Sequence, residues 1–277
     1  AAGDHAGRQP AAQAGGTVNE GSRLASAMLA LALLFLLGPF VVVIVAGFSG
    51  DETLRFPPQT WSWRWLLHVF SVDAFQRSFV TSLVVALGSS AAALALGVPV
   101  AYALSRLQVP GAEAVRLLLT LPLIVPGIIV GLALLNHGVL ALNLPVTLSL
   151  LIGHTTLLVP YAVRVVSSSL ANLRVDIDDA AITLGATRLQ AFFQVVLPNI
   201  RGGVAAAFVL AFITSFNQVP VSLFLTGPGV STLPIEMMAY METSYDPSIA
   251  ALSTLLVVFT IALVAVTEKA LGITKYV

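Results

Sequence analysis

The residues equipped for chemistry fall into three groups. Gly47-Phe48-Ser49-Gly50 and His154 supply the residue types of a nucleophile and its base. Two apolar runs are interrupted by polar groups: His154, Thr155, Thr156 and Tyr161 around Pro160, and Thr214, Ser215, Asn217 and Gln218 beside Pro220. Between those runs lies a polar stretch with Asp179-Ala180-Ala181, Gly185 and Val195-x-Leu197-Pro198. The carboxylate there can cap a helix or pair with a cation. Cysteine is absent, which removes disulfides, thiolate nucleophiles and Cys-based metal sites, and no metal site is expected.

Composition dictates the elements that must position these groups. The 277 residues are 57% hydrophobic and 9% charged, with 13 basic against 13 acidic side chains; a soluble domain carries about 25% charged residues. So few charges cannot cover a soluble surface, and the class implied is an all-α polytopic membrane protein. A net charge of zero also argues against a nucleic-acid partner, which requires a basic face. About 20 apolar residues cross a hydrocarbon core of roughly 30 Å, and that criterion predicts six transmembrane helices, at 24–48, 79–104, 117–135, 146–166, 202–225 and 248–267. The third is the least regular, with Pro122, Pro126, Gly127 and Gly131 inside it. Residues 1–23 lack any apolar period and are expected to be a disordered tail. The apolar run after them is too long for a cleavable signal segment; residues 24–277 then form one transmembrane domain.

Basic residues set the orientation. With the N-terminus in the cytoplasm, Arg8, Arg23, Arg106, Arg116, Arg164, Arg174, Arg188, Arg201, Lys269 and Lys275 lie inside, and only Arg55, Arg64 and Arg77 outside. The loop 226–247 holds Glu236, Glu242 and Asp246 without a basic residue. This bias predicts cytoplasmic termini. Trp61, Trp63 and Trp65, at alternate positions in the first outer loop, suit either an interfacial segment or a solute-facing aromatic surface, built as a short strand or half-buried turn.

The stretch 167–201 can be read locally. Asp176 and Asp179 form a reciprocal cap for a short helix, Gly185 ends it in a left-handed conformation, Thr187 caps a second helix from Arg188, and Pro198 closes that one. A helix–turn–helix outside the membrane, between helices 4 and 5, is the expectation. Leu189, Phe192, Phe193 and Val196 form an apolar stripe with no span beside it, which implies either a partner surface or the membrane interface.

The spacing of Asp179-Ala180-Ala181, Gly185 and Val195-x-Leu197-Pro198 resembles the Glu-Ala-Ala…Gly…Ile-x-Leu-Pro motif of ABC-importer permeases, with Asp for Glu and Val for Ile. Gly97-Val98-Pro99 through Ser105-Arg106, Leu121-Pro122 through Gly127-Ile128, and Ser215-Phe216 through Gly227-Pro228 resemble the spermidine/putrescine permeases, the shorter of the two subtypes above all. The likeness covers roughly residues 55–267. It implies that the loop is a coupling helix seated in a groove of a separate ATPase, with Asp179, Ala180, Ala181, Gly185, Leu197 and Pro198 in that role and Phe192 in the apolar stripe. Asp179 then has two readings, a helix cap or an ion pair with an ATPase arginine. Small Ala residues permit close backbone approach, and Gly185 sets the angle between the helices.

The resemblance further implies a second permease, in a heterodimer, two ATPase subunits and a periplasmic or extracellular solute-binding protein, with the membrane lipid around them. ATP and Mg²⁺ belong to the ATPase: this sequence has no GxxxxGK[ST], and neither Lys269 nor Lys275 follows a glycine. No cofactor is expected in the chain itself, and it is not an enzyme.

Tyr161, Ser215, Asn217 and Gln218 are the translocation-path candidates, since polar groups inside spans are costly unless functional or hydrogen-bonded between helices. Pro122, Pro126 and Gly127 are gating candidates, with Gly127-x-x-x-Gly131 packing as the alternative. Polyamine permeases carry an acidic residue near position 217. Asn217 and Gln218 are neutral, and no carboxylate lies inside any predicted span. A small polar solute is therefore expected: polyamine-like, or related to aminoethylphosphonate or opines. Two other classes compete. An ion-coupled secondary transporter lacks its intramembrane carboxylates and inverted repeat. A rhomboid-like protease needs its serine at a helix start within the membrane, and Ser49 sits beside Asp51 and Glu52 at a span end.

Overall fold

The computed structural model describes residues 17–271. Within them the chain is helical, and β structure is limited to two isolated bridges, Ser49–Trp61 and Gly227–Val230. Helix α1 (Thr17–Gly47) starts ahead of the predicted Leu24; residues 1–16 of the predicted tail lie outside the described residues. A helix apolar on every side belongs in lipid, and α1 is exposed along most of its apolar stretch, with burial confined to its end, where Ala46 is covered and α12 packs. After α2 (Arg64–His68) come α3 (Asp73–Arg106), α4 (Ala112–Ile124), α5 (Gly127–Ala133) and α6 (Val146–Ala171). The second half holds α7 (Asp176–Thr183), α8 (Arg188–Ala191), α9 (Leu197–Asn199), α10 (Arg201–Phe216), α11 (Leu233–Thr243) and α12 (Ser248–Leu271).

Helices α1, α3, α6 and α12 are each long and apolar enough to cross a membrane. Of the other two predicted spans, the third is broken by a sharp bend and the fifth begins just after one. Ala112–Ile124 meets Gly127–Ala141 at 90°, and Arg188–Asn199 meets Arg201–Phe216 at 72°. In the first, Pro126 lacks an N–H and drives Val125 into an extended conformation, so α4 ends before it and α5 begins after it. Pro122, by contrast, is accommodated inside α4. A Cβ at Gly131 would lie 2.5 Å from the Val221 carbonyl oxygen, so that approach requires glycine. One at Gly127 would meet Pro220 at 3.1 Å. The two glycines thus serve close packing against residues 220–221.

The second departure is the predicted span 202–225, which is helical only to Phe216. Asn217 turns its Nδ2 back to the Ile213 carbonyl at 2.9 Å, and Pro220 cannot continue the ladder. The chain reaches Ser222–Phe224 as a single 3₁₀ turn.

Helix α3 is the axis of the bundle, packed on α6 and α10, with α11 across its first half and α12 pairing with α1. Lipid tails are as apolar as leucine, so helices associate through close fit, and the α3–α6 seam accordingly has Ala93, Gly97, Ala101 and Ala162. One end of the bundle is filled by Trp65, Phe75, Phe212, Phe216 and Leu233. The opposite end is filled by Tyr102, Leu170, Phe192 and Val196. The tryptophans of the first loop divide. Trp65 is buried and donates Nε1–H to the Asp51 carbonyl at 2.9 Å, whereas Trp61 and Trp63 are exposed, Trp63 edge-on to Phe48. Asp51 accepts from the Gln59 backbone N–H and the Thr60 hydroxyl, which hold its carboxyl below the usual range and close the loop.

Candidate functional site

Beyond α6 the chain leaves the bundle, turns at residues 172–175 and enters α7. The expected reciprocal aspartate cap does not form. Val175 precedes the helix, and no side chain caps it. The Asp176 carboxylate is instead taken by the Arg174 guanidinium, whose hydrogen bonds lower its pKa. Asp176, Asp178 and Asp179 still favour this helix start through its dipole. Asp179 and Ala180 are exposed, and Ala181 is half-buried.

The turn follows the local chemistry. Gly185 has φ +96°; its N–H bonds to the Ile182 carbonyl at 2.9 Å and that of Ala186 to Ala181 at 3.1 Å. These are the paired bonds that terminate a helix around a left-handed residue. Thr187 and Gln190 then form a reciprocal capping box at the start of α8. Two short helices are therefore set at an angle that their own backbone bonds define.

The apolar stripe on the second helix does not all await a partner. Phe192 and Val196, in a π turn between α8 and α9, are buried against the chain's own bundle, with the Phe192 ring 4.8 Å from that of Tyr102. Phe192 accordingly anchors the segment, and the expectation that no span covers the stripe is corrected for these two residues. Leu197 packs on the same core, and Pro198 is exposed at the start of α9. Leu189 and Phe193 remain exposed, joined by Val175 and by Leu184, whose exposure of 89% is extreme for a leucine. Leu184 is the residue most easily missed in the sequence; its position directly before the helix-ending glycine is the available signal.

The polar span residues separate into two places. Tyr161 lines a cleft of about 720 Å³ between α6 and α10, together with Arg164, Ser168, Asn172 and Asn199. Asn217 is exposed and Gln218 half-buried at the broken end of α10, outside the walls of that cleft. Ser215 is not among the residues lining that cleft. It is 4% exposed and belongs to a buried chain of hydrogen bonds that ties α3, α6 and α10 together.

In that chain, Ser89 Oγ donates to the Val85 carbonyl at 2.6 Å and lies 2.9 Å from Ser215 Oγ. His154 Nδ1 is 2.8 Å from Ser215 Oγ and its Nε2 is 3.0 Å from Ser222 Oγ. A neutral imidazole meets both contacts by donating to one serine and accepting from the other. His154 therefore has no tie to Ser49, which is buried elsewhere and accepts from the Asp51 N–H at 3.1 Å. The nucleophile–base pairing is not made.

Residues 93–271 match the family of binding-protein-dependent transport system inner membrane components. The putrescine transport system permease protein PotI of Escherichia coli strain K12 is 31% identical over 236 residues, covering 83% of this chain and 84% of that protein. The spermidine/putrescine transport system permease protein PotC of Haemophilus influenzae is 26% identical, covering 88% and 95%. In fold the chain is similar to a bacterial ABC transporter involved in the import of the acidic polysaccharide alginate, with a TM-score of 0.70, 17% identity, and 94% and 99% of the two chains covered. With four long apolar helices and two bent helix pairs among the described residues, the chain belongs to the binding-protein-dependent inner-membrane components: it is a permease subunit of an ABC importer.

Proposed function

We propose that α7, the Gly185 turn and α8 are the surface on which this permease receives a separate ATPase subunit, the one that binds ATP and Mg²⁺. What carries the reading is the exposure of Leu184, Leu189 and Phe193 around a turn whose shape is fixed by its own backbone bonds. Covering a leucine fully is worth about 1.5–3 kcal/mol, so a groove that takes these side chains gains affinity without reshaping the loop. Asp179, exposed beside them, supplies a carboxylate for a cationic residue of that groove. Phe192 and Leu197 hold the segment to the bundle from behind.

The excess of basic residues on this side supports a cytoplasmic loop and cytoplasmic termini. The complete importer then has a second, different permease, two ATPases and a periplasmic binding protein. ATP brings the ATPases together, the docked loops follow as near-rigid bodies, and the spans pass from outward-open to inward-open. The relatives named for putrescine and spermidine support a small polar solute of the polyamine or a related class. Asn217 and Gln218 at the broken end of α10, and Tyr161 in the cleft nearer the loop, are the groups assigned to its path.

Because the sequence is free of cysteine, Leu184→Cys provides a unique thiol. In the assembled importer it is expected to cross-link to a cysteine placed in the groove of the ATPase, while Trp63→Cys in the first loop does not. A Leu184 thiol that stays unreacted in an active complex contradicts the docking surface.

A further inference from the structure

At the loop end of α3, one buried charge joins the bundle to the coupling segment. Arg106 is the last residue of α3, and its side chain is only 4% exposed. Its Nη2 donates to the carbonyls of Leu170, at 3.0 Å, and Leu173, at 2.6 Å, which capture the end of α6. Its Nε faces Oδ2 of Asp178 at 3.8 Å, and that carboxylate, on α7, is 8% exposed. Tyr102, one turn back on α3, packs on Phe192 of the π turn. The guanidinium therefore joins α3 to the end of α6 and to α7, and Tyr102 on the same helix adds the π turn.

A buried ion pair is a poor device for stability alone, because the desolvation of both charges offsets their attraction and apolar residues of similar volume serve as well or better. This pair is also incompletely bonded. Arg106 Nε and Asp178 Oδ1 have no hydrogen-bond partner, and 3.8 Å is beyond hydrogen-bonding distance. Such a contact ties α7 to the end of α3 through charge rather than through a closed hydrogen bond.

We infer that Arg106 and Asp178 are a positioning pair that carries displacement of the coupling segment into α3, and through α3 into α6 and α10. The inference rests on the coupling-surface reading above. Neither residue touches the transported solute or the ATPase; both act through the helices they join.

The test uses the complete importer in vesicles, with uptake and ATP hydrolysis measured on the same preparation. Asp178→Asn keeps the shape and removes the charge. The expected result is an assembled complex with hydrolysis retained and uptake per ATP reduced roughly tenfold, within the range of ordinary coupling energies; Asp178→Glu recovers most of it. Should Asp178→Asn fail to assemble, the double variant Arg106→Met with Asp178→Leu replaces the pair by apolar groups of similar size and is expected to assemble with the same loss of coupling. Normal uptake per ATP in either assembled variant overturns the positioning role. If the Leu184 thiol cross-links and these variants remain fully coupled, this inference alone fails; if the thiol does not cross-link, the coupling surface itself is wrong.

Discussion

Replacing Gly185 with valine is expected to separate ATP hydrolysis from transport. The residue sits at φ +96°, where a β-branched side chain costs on the order of 1–3 kcal/mol. A Cβ there would meet nothing within 4 Å, so the penalty is one of backbone conformation rather than collision. Relief comes by unwinding the last turn of α7, which breaks the bonds from Gly185 to Ile182 and from Ala186 to Ala181 and resets the angle between α7 and α8. The helices on either side keep their own anchors, Asp178 at Arg106 and Phe192 at Tyr102. Membrane insertion and subunit assembly are therefore expected to survive. In reconstituted vesicles, uptake should fall by about tenfold or more, consistent with coupling energies of 1–3 kcal/mol, while hydrolysis continues. Unchanged uptake would contradict a role for this turn in coupling.

His154→Ala is expected to give the largest loss of stability. The substitution removes both ring contacts, to Ser215 and Ser222, and leaves a void in a site that is 1% exposed. Hydrogen bonds between membrane helices average about 0.6 kcal/mol each, and truncating a large buried side chain to alanine costs about 2–5 kcal/mol in soluble cores. A total near 3 kcal/mol is the expectation, read as a thermal midpoint several degrees lower in detergent. Uptake should decline with it, because the Ser215–His154–Ser222 chain fixes the two sides of the break that carries Asn217 and Gln218. A midpoint equal to that of the unaltered protein would mean that His154 is not a structural tie.

What was legible in the sequence follows the range of the interactions involved. The turn between α7 and α8 depends on neighbours within five residues, so Gly185 and Thr187 announce it. The aspartate cap failed because a closer competitor, Arg174, claims Asp176. Long apolar runs mark α1, α3, α6 and α12, since span length is set by bilayer thickness. The 90° bend after α4 was not legible, although Pro126 marks its place, because its direction depends on Gly131 meeting Val221 ninety residues away.

The apolar stripe illustrates the same limit. Its period gives a face to Leu189, Phe192, Phe193 and Val196, but which of them the chain covers itself is decided by Tyr102 on a distant helix. Likewise Ser215 is indistinguishable in sequence from a path-lining hydroxyl; only the approach of α3 and α6 encloses it with Ser89 and His154.

The central claim is that an ATPase docked on the coupling segment drives this permease. The most direct measurement is uptake of labelled putrescine by vesicles containing the complete importer and its binding protein, with and without the ATPase subunit, at constant ion gradients. Uptake that requires both the ATPase and ATP is the predicted result; uptake that persists without the ATPase under an ion gradient alone would contradict it.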